Sequence, residues 1–498
     1  MLTSGTTRAP LGRTTIHVAV VISIAFAILA GAAGYWAVVE GPALAGSPND
    51  AAVIAAARTV PRGLIRDRTG KILANNKKAA NGESYRVYVG RAISQVVGYA
   101  SGTYGRAGLE RAYDAELTGL GGDPLTDAFA KFGADRYDPK DLALALSWDL
   151  QKAAVAALGR HRGAVVMLDP KTGEVLALAS TPTYDASAIT DPATARTTFE
   201  GLLADPTQPL LPRATLGRYV PGSVFKIVTA VAGLGSGAIS PATTFKQQPG
   251  AEKSGLLVDG YRVKDGHHPA TGSTALDLAG ATEVSCNIYY ALTGLKAGGA
   301  DLVAYAKRMG FGSPLPFDLP TATSQVTNGD GKQPGGFTDD VELANASYGQ
   351  AETFVTPLQM ALVAATVAND GELMQPQLVT SLTGKHSGTR TIGPRSMGRV
   401  ISSTDAQAIN AAMVRAVEGP LGRQFTSGAK VPGVTTAGKS GTAELGGTGE
   451  PHSWFIGFAP AEDPKIVVAV LVEQAGRGGE VAAPIAGDLM TLFLKRTP

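Results

Sequence analysis

The chain begins with an apolar segment that is long enough to cross a lipid bilayer. Residues 14–39 carry no Asp, Glu, Lys or Arg and consist mostly of small and large apolar residues. Arg8 and Arg13 precede this segment, and Glu40 ends it. A helix rises by about 1.5 Å per residue, so the segment exceeds a hydrocarbon core of roughly 30 Å. The positive-inside rule then predicts a cytoplasmic tail over 1–13, a transmembrane anchor over 14–39, and an extracytoplasmic remainder.

A cleaved signal peptide is the competing interpretation of the same region. Ala43-Leu44-Ala45 has the A-x-A form of a signal-peptidase site. The apolar run is longer than the 7–15 residues of a signal h-region, however. We therefore favour an uncleaved anchor that holds the protein in the plasma membrane by a single span.

The extracytoplasmic part divides into a small polar module and a larger, more apolar one. Residues 40–145 mix Gly-containing turns with short segments, including a strand predicted over 84–90 and a helix over 109–117. From residue 146 the apolar positions become regular. The domain prediction is a module over 40–145 followed by a main domain over 146–498.

The main domain alternates strand and helix patterns and ends in strongly apolar strands. Asp169–Gly173 is a Pro/Gly turn that predicts a β-hairpin between strands over 164–168 and 174–180. Strands from both ends of a domain with helices between them predict a layered α/β fold. The other predicted elements are helices over 148–158, 224–234, 358–368 and 482–495, and strands over 454–458 and 466–472.

Composition excludes several classes of protein. The 498 residues are 44% hydrophobic and only 17% charged, which excludes a disordered chain. The net charge of +2 gives no electrostatic case for nucleic-acid binding. The single cysteine, Cys286, excludes an intrachain disulfide framework and a Cys-rich metal site.

A candidate nucleophile opens the helix predicted over 224–234. Ser223 and Lys226 are spaced i,i+3, which places them on one helix face. A serine hydroxyl needs an adjacent base, and a lysine can serve if burial keeps its amine partly neutral. The plainer interpretation is a surface serine beside a solvated lysine. The motif is short, and Ser427-Gly428-Ala429-Lys430 also fits it.

Two further motifs decide between these interpretations. Penicillin-recognising enzymes combine three motifs: S-x-x-K, S-x-N and K-[ST]-G. Only Ser223, Ser285-Cys286-Asn287 and Lys439-Ser440-Gly441 occur in that order in suitable elements. The decoys are Ser47-Pro48-Asn49, Lys171-Thr172-Gly173 and Lys253-Ser254-Gly255.

With these motifs in order, the chain resembles a class B penicillin-binding protein, a membrane-anchored peptidoglycan D,D-transpeptidase. The resemblance covers nearly everything after residue 60, and the short N-terminal module is similar to compact actinobacterial members. It implies an α/β transpeptidase domain, with a central antiparallel sheet and helices on both faces, after a small N-terminal pedestal. Further family-like segments are 62–74, 104–110, 348–350, 356–361 and 452–455.

The resemblance also implies roles for individual residues. Ser223 would attack the carbonyl of a D-Ala-D-Ala stem peptide while Lys226 takes its proton, and the Ser223 and Thr442 amides would form the oxyanion hole. Ser285 would pass a proton to the leaving D-alanine, and Asn287 would bind the substrate backbone and hold Lys226. Lys439, Ser440 and Thr442 would bind the terminal carboxylate of the substrate, and Gly441 would belong to the same substrate-binding segment. A β-lactam would stop at the acyl-enzyme, and no metal or organic cofactor is needed.

Two positions depart from the family pattern, and a few residues invite other roles. Ala351 stands where the family often has Gly, and Ser440 stands where Thr is commoner. We predict that Cys286 is a small packing residue rather than a nucleophile. His267 and His268 are predicted to be solvated loop residues, and Glu342 is predicted to be structural rather than a deacylating base.

Other functions use the same three motifs. A β-lactamase is disfavoured by the anchor and by the 62–74 segment, whereas a D,D-carboxypeptidase, which uses water as acceptor, stays open. Residues 41–145 are too short for a glycosyltransferase domain. A non-catalytic wall-synthesis scaffold is disfavoured because the motif residues are intact. The expected partners are peptidoglycan stem peptides, β-lactams as covalent inhibitors, a membrane glycan polymerase contacted through anchor and pedestal, and other wall-synthesis proteins of elongation or division.

Overall fold

The structure is a computed structural model, and it describes residues 11–35, 61–79, 84–119, 138–265, 274–446 and 449–496. Several predicted features lie outside these residues: most of the cytoplasmic tail, residues 36–39 of the predicted anchor, the first part of the pedestal, and both loop histidines, His267 and His268.

Seventeen strands form in the described residues, most of them short. In chain order they are β1 (Ile65–Arg66), β2 (Ile72–Lys78), β3 (Ser84–Tyr88), β4 (Ala100–Ser101), β5 (Gly105–Arg106), β6 (Asp141–Leu144), β7 (Gly163–Leu168), β8 (Val175–Thr181), β9 (Leu256–Val258), β10 (Tyr261–Val263), β11 (Glu372–Met374), β12 (Val379–Gly384), β13 (Gly388–Thr391), β14 (Ser396–Arg399), β15 (Ala437–Ala443), β16 (His452–Ala459) and β17 (Ile466–Val472).

The α-helices of the described residues are mostly short, and several match the predicted segments closely. They are α1 (Leu11–Tyr35), α2 (Ser94–Val97), α3 (Gly108–Ala112), α4 (Asp114–Thr118), α5 (Trp148–Leu158), α6 (Ala186–Thr190), α7 (Ala195–Ala204), α8 (Arg213–Leu216), α9 (Lys226–Gly235), α10 (Gln248–Ser254), α11 (Leu278–Val284), α12 (Asn287–Ala297), α13 (Gly299–Arg308), α14 (Asp340–Ala346), α15 (Pro357–Ala368), α16 (Ser403–Glu418), α17 (Arg423–Thr426) and α18 (Ala482–Arg496).

A five-stranded sheet forms the centre of the main domain. Its order is β15-β16-β17-β7-β8, and every neighbouring pair is antiparallel. The hairpin β7–β8 comes from the start of the domain and the other three strands from its end. The predicted sheet built from both ends of the domain is therefore confirmed, and β15 is left at its edge.

Helices cover both faces of this sheet. Side chains alternate along β7, so that Val166 and Leu168 belong to one core and Val165 and Met167 to the other. α15, buried along its whole length, packs on the first face, whereas α5 and α18 pack on the second. Burial of both faces explains why β17 is an unbroken apolar run rather than an alternating one.

A second sheet joins the N-terminal module to the main domain. Its order is β13-β12-β6-β1-β2-β3, so strands from the two sides of the predicted boundary at residue 145 are hydrogen-bonded neighbours. β6 pairs in parallel with β1 and antiparallel with β12. Asp318 adds a link, because it accepts bonds from the Tyr113 hydroxyl and from the Leu378 amide. The limits 40–145 and 146–498 stay predictions.

The N-terminal apolar segment is helical. α1 spans 25 residues, and its large apolar side chains, such as Phe26 and Ile28, are exposed. Among the described residues, we find no helix whose length and apolar content suffice to cross a membrane.

Candidate active site

The candidate nucleophile lies in a tight turn rather than inside a regular α-helix. Gly222–Phe225 forms a single 3₁₀ turn, and α9 begins at Lys226. The segment around Gly349 supports this turn, because the Gly222 amide donates to the Gly349 carbonyl at 2.9 Å. Gly349 has φ +84°, and a Cβ there would lie 2.0 Å from the Gly222 oxygen. Only glycine at position 349 therefore lets this support approach the nucleophile turn.

Lys226 stands at the centre of the constellation and is completely buried. Its Nζ lies 3.0 Å from Ser223 Oγ, 3.1 Å from Ser285 Oγ and 2.7 Å from Asn287 Oδ1, and it also donates to the Ser285 carbonyl. Burial lowers the pKa of Lys226 to about 8, against the opposing effects of Asp265 and the Cys286 thiol. A minor but usable neutral fraction is therefore present near neutral pH, and that fraction can accept the Ser223 proton.

Ser285 and Asn287 reach Lys226 from a turn between two helices. α11 ends at Val284 and α12 begins at Asn287. Ser285 adopts the left-handed conformation, with φ 61° and ψ 39°. This turn directs the Ser285 hydroxyl, the Ser285 carbonyl and the side-chain oxygen of Asn287 toward the amine of Lys226.

Cys286 lies in that turn with a structural role, as predicted. It is buried, and its sulfur accepts the Tyr289 amide at 3.3 Å as the N-cap of α12. Burial raises the pKa of its thiol well above the ordinary value, so the nucleophilic thiolate is suppressed.

The third motif lies on β15, the edge strand of the central sheet. Lys439 is buried, and its Nζ donates to the Ser440 carbonyl at 2.8 Å. Burial, with a further contribution from the charge of Lys226, lowers the pKa of Lys439 well below its ordinary value. A Cβ on Gly441 would lie 3.0 Å from the Pro221 oxygen, so its absence lets the strand pass close to the nucleophile turn. Thr442 Oγ1 accepts the Gly478 amide at 3.3 Å.

These residues share one cleft of about 1460 Å³. Of the eight predicted site residues, Lys226 and Gly441 are not on its wall: the amine of Lys226 is buried next to Ser223, and Gly441 faces Pro221. The wall includes Ser223, Ser285, Asn287, Lys439, Ser440 and Thr442. The structure thus brings together three segments that the sequence separates by more than 200 residues.

The decoy motifs lie elsewhere. Ser427 and Lys430 are exposed, and Lys430 pairs with Glu418. Lys171 lies in the β7–β8 turn and pairs with Asp463. Lys253 is in the last turn of α10. Ser47-Pro48-Asn49 lies outside the described residues.

Glu342 lines the cleft, but other groups hold its carboxylate. One oxygen accepts the Thr327 hydroxyl at 2.6 Å, and the other accepts the Thr338 amide at 2.7 Å. These bonds fix a loop beside the cleft, in agreement with the predicted structural role.

Asp265, a cleft residue in hydrogen-bond contact with the second motif, was missed by the sequence analysis. It lies just after β10 and accepts the Asn287 amide at 2.8 Å. No periodicity or motif spacing marks it in the sequence, because it is 20 residues from Ser285 and follows a short polar hairpin.

The departure at Ala351 has a conformational consequence. Ala351 has φ 58°, in the left-handed region that favours glycine. We expect Ala351→Gly to raise the free energy of unfolding by roughly 0.5–1 kcal/mol, because relief of about 1–2 kcal/mol of strain outweighs the chain entropy of glycine. Chemical denaturation measures this, with Ala193→Gly, at an exposed turn position of negative φ, as the control that should lose stability. Equal losses in both variants would contradict the expectation.

Comparisons with known proteins agree with this geometry. Residues 163–491 match the penicillin binding protein transpeptidase domain, and residues 62–135 match the penicillin binding protein A dimerisation domain. The peptidoglycan D,D-transpeptidase PbpA of Mycolicibacterium smegmatis is 35% identical over 96% of this chain and 98% of that protein. The peptidoglycan D,D-transpeptidase MrdA of Acinetobacter baumannii is 29% identical over 79% of this chain and 61% of that protein.

Solved structures give the same result. An imipenem acyl-enzyme complex of penicillin-binding protein A from M. tuberculosis superposes with a TM-score of 0.77 at 31% identity, covering 88% of this chain and 99% of that one. The corresponding penicillin G complex superposes with a TM-score of 0.75 at 31% identity, covering 87% of this chain and all of that one.

Proposed function

Because the chain belongs to the penicillin-binding protein transpeptidase family, we propose that it is a peptidoglycan D,D-transpeptidase that cross-links stem peptides through an acyl-serine intermediate. The observation that carries this proposal is the 3.0 Å contact between Ser223 Oγ and the buried amine of Lys226, in a cleft shared with Ser285, Asn287 and Lys439. A relative named for this activity matches 96% of the chain.

In the first step Ser223 Oγ attacks the carbonyl carbon of the penultimate D-alanine, and its proton passes to the neutral amine of Lys226. The tetrahedral oxyanion would be held by the Ser223 and Thr442 amides. When the C–N bond breaks, the leaving D-alanine amine takes a proton, which Lys226 supplies through the Ser285 hydroxyl at 3.1 Å. The ester on Ser223 and free D-alanine are the products of this step.

In the second step an amine of another stem peptide attacks the ester carbonyl. Its proton goes to the regenerated neutral Lys226, and Ser223 leaves with a proton from the same network. The Ser440 and Thr442 hydroxyls would orient the terminal carboxylate of the donor, and that negative charge would in turn favour the ammonium form of Lys439. A β-lactam enters the first step but keeps its leaving group tethered, so we expect the acyl-enzyme to persist.

The membrane anchor belongs to this proposal. α1 exposes large apolar side chains, which a lipid environment would cover, and Arg8 and Arg13 precede it. The catalytic domain would then lie on the extracytoplasmic side. We propose that the anchor and the pedestal contact a membrane glycan polymerase and other wall-synthesis proteins in elongation or division.

A donor peptide ending in D-Ala-D-Ala, mixed with an amine acceptor, tests the activity. We expect mass spectrometry to find free D-alanine together with the new amide product in equal amounts. D-alanine release with hydrolysed donor alone would instead identify a D,D-carboxypeptidase. Rapid turnover of penicillin to its hydrolysed form would identify a β-lactamase.

A further inference from the structure

The turn that carries Ser285 and Asn287 needs external support. Ser285 is held in the left-handed conformation, which is unfavourable for a residue with a Cβ. Its own helix contributes two backbone bonds, from the Ser285 amide to Thr282 and from the Cys286 amide to Ala281. These bonds close the end of α11 but leave the Asn287 side of the turn to other groups.

Asp265 holds that side of the turn with both carboxylate oxygens. Oδ1 accepts the Asn287 amide at 2.8 Å, and Oδ2 lies 2.9 Å from Cys286 Sγ, which donates to it. The same sulfur accepts the Tyr289 amide, so a continuous chain of bonds runs from Asp265 into the first turn of α12. Asp265 itself comes from the segment after β10, a different part of the cleft wall.

The charge of Asp265 also acts on Lys226. The charged or titratable groups around the amine are Asp265, Cys286, the Tyr290 ring at 5.8 Å and Lys439. Asp265 is the larger of the two influences that raise the pKa of Lys226, and it opposes burial. The titratable groups around Asp265 itself include Lys226, Cys286, Tyr348 and Glu252, whose carboxylate lies within 4.8 Å of that of Asp265. An anion beside the amine stabilises the ammonium that forms once Lys226 has taken the Ser223 proton.

We propose that Asp265 is a positioning residue for acylation: it holds the Ser285–Asn287 turn against Lys226, and its negative charge stabilises the protonated amine after proton transfer. This inference rests on the proposed function, because it assigns Asp265 to the same acylation step. Asp265 would thus act in two ways, by positioning the turn and by its charge, and different substitutions can test the two effects separately.

Asp265→Asn tests the charge effect. The amide keeps an acceptor for the Asn287 amide and a donor for the Cys286 sulfur, but it loses the charge. In the wild type, acylation by a fluorescent penicillin should rise with pH through the pKa of Lys226, about 8. In Asp265→Asn the midpoint should fall by about one pH unit, the size of shift that a nearby opposite charge produces.

Asp265→Ala tests the positioning effect. Both bonds to the turn are lost, so we expect the maximal acylation rate to fall by roughly 10²-fold, as a displacement of about 1 Å can cause. The midpoint should also move to lower pH, as in Asp265→Asn. Labelling at 25 °C on protein with an unchanged circular dichroism spectrum separates this loss from unfolding.

Glu252→Gln is the matched control. Its carboxylate also faces Cys286 Sγ, at 3.7 Å, and lies within 4.8 Å of the Asp265 carboxylate, whereas the pKa of Lys226 is set by burial, Asp265 and Cys286. We expect its midpoint and rate to equal those of the wild type. A midpoint in Asp265→Asn within 0.1 unit of the wild type, or the same shift in Glu252→Gln, would overturn the proposal. Failure of the wild type to acylate at all would instead refute the proposed function.

Discussion

Ser223→Ala is expected to lose covalent labelling by penicillin and D-alanine release by at least about 10⁴-fold. The methyl group cannot attack a carbonyl, and the second hydroxyl at the Lys226 amine, Ser285 Oγ, belongs to the turn between α11 and α12 rather than to the nucleophile turn. Fluorescent penicillin with peptide-level mass spectrometry measures the loss and locates the label. The label on the wild type should lie on the peptide that contains residue 223.

The chain supplies its own control for this experiment. Ser427 begins a second S-x-x-K sequence, but it is exposed, and its partner Lys430 pairs with Glu418 in solvent. Ser427→Ala should therefore label like the wild type. Full labelling of the Ser223→Ala protein would show that Ser223 is not the nucleophile. In cells, cross-linking that survives with Ser223→Ala as the only copy would favour the scaffold interpretation.

Lys226→Met should lower the acylation rate by roughly 10²–10⁴-fold, the usual contribution of a general base. The protein should nevertheless stay folded, with a Tm equal to or above that of the wild type. Lys226 is buried, and its lowered pKa shows that the surroundings disfavour the ammonium form. An apolar side chain of similar length removes that cost, and the polar partners it leaves, Ser223, Ser285 and Asn287, line the cleft and can bond to water instead. Activity should therefore fall without a loss of stability.

Lys430→Met controls for the loss of a lysine in the same sequence context. Because Lys430 is half-exposed and paired at the surface, we expect little change in either quantity. Stopped-flow acylation and thermal denaturation measure both effects. A Lys226→Met protein that acylates at the wild-type rate would show that another group deprotonates Ser223.

The sequence predicted the central sheet and the motif residues because both leave local signals. A Pro/Gly turn between two apolar segments indicates the hairpin β7–β8, and seven apolar residues in succession indicate β17. Each motif lies within a short stretch of chain, and the order of the motifs, together with the apolar helix predicted after Ser223, separated Ser223 from Ser427. The predicted helix over 109–117 was less accurate, because Tyr113 interrupts it and two short helices form instead.

Contacts between distant residues left no such signal. Glu473 accepts bonds from Arg213 and from the Tyr219 hydroxyl, both more than 250 residues earlier in the chain. Asp265 likewise carries no sequence signal, because its contact with the second motif exists only once α12 has packed beside it. The pairing of β12 with β6 joins Val379 to Leu144, and no periodicity in either segment specifies that partner.

The six-stranded sheet has a practical consequence for anyone who prepares the enzyme in pieces. A fragment that starts after residue 145 would contain every motif residue, yet it would lack β6 and leave one side of β12 without its hydrogen-bonding neighbour. Such an open strand invites association with other molecules of the same fragment. We therefore expect that a catalytic fragment must begin near residue 61, well before the motif residues, to keep this sheet intact and to stay monomeric.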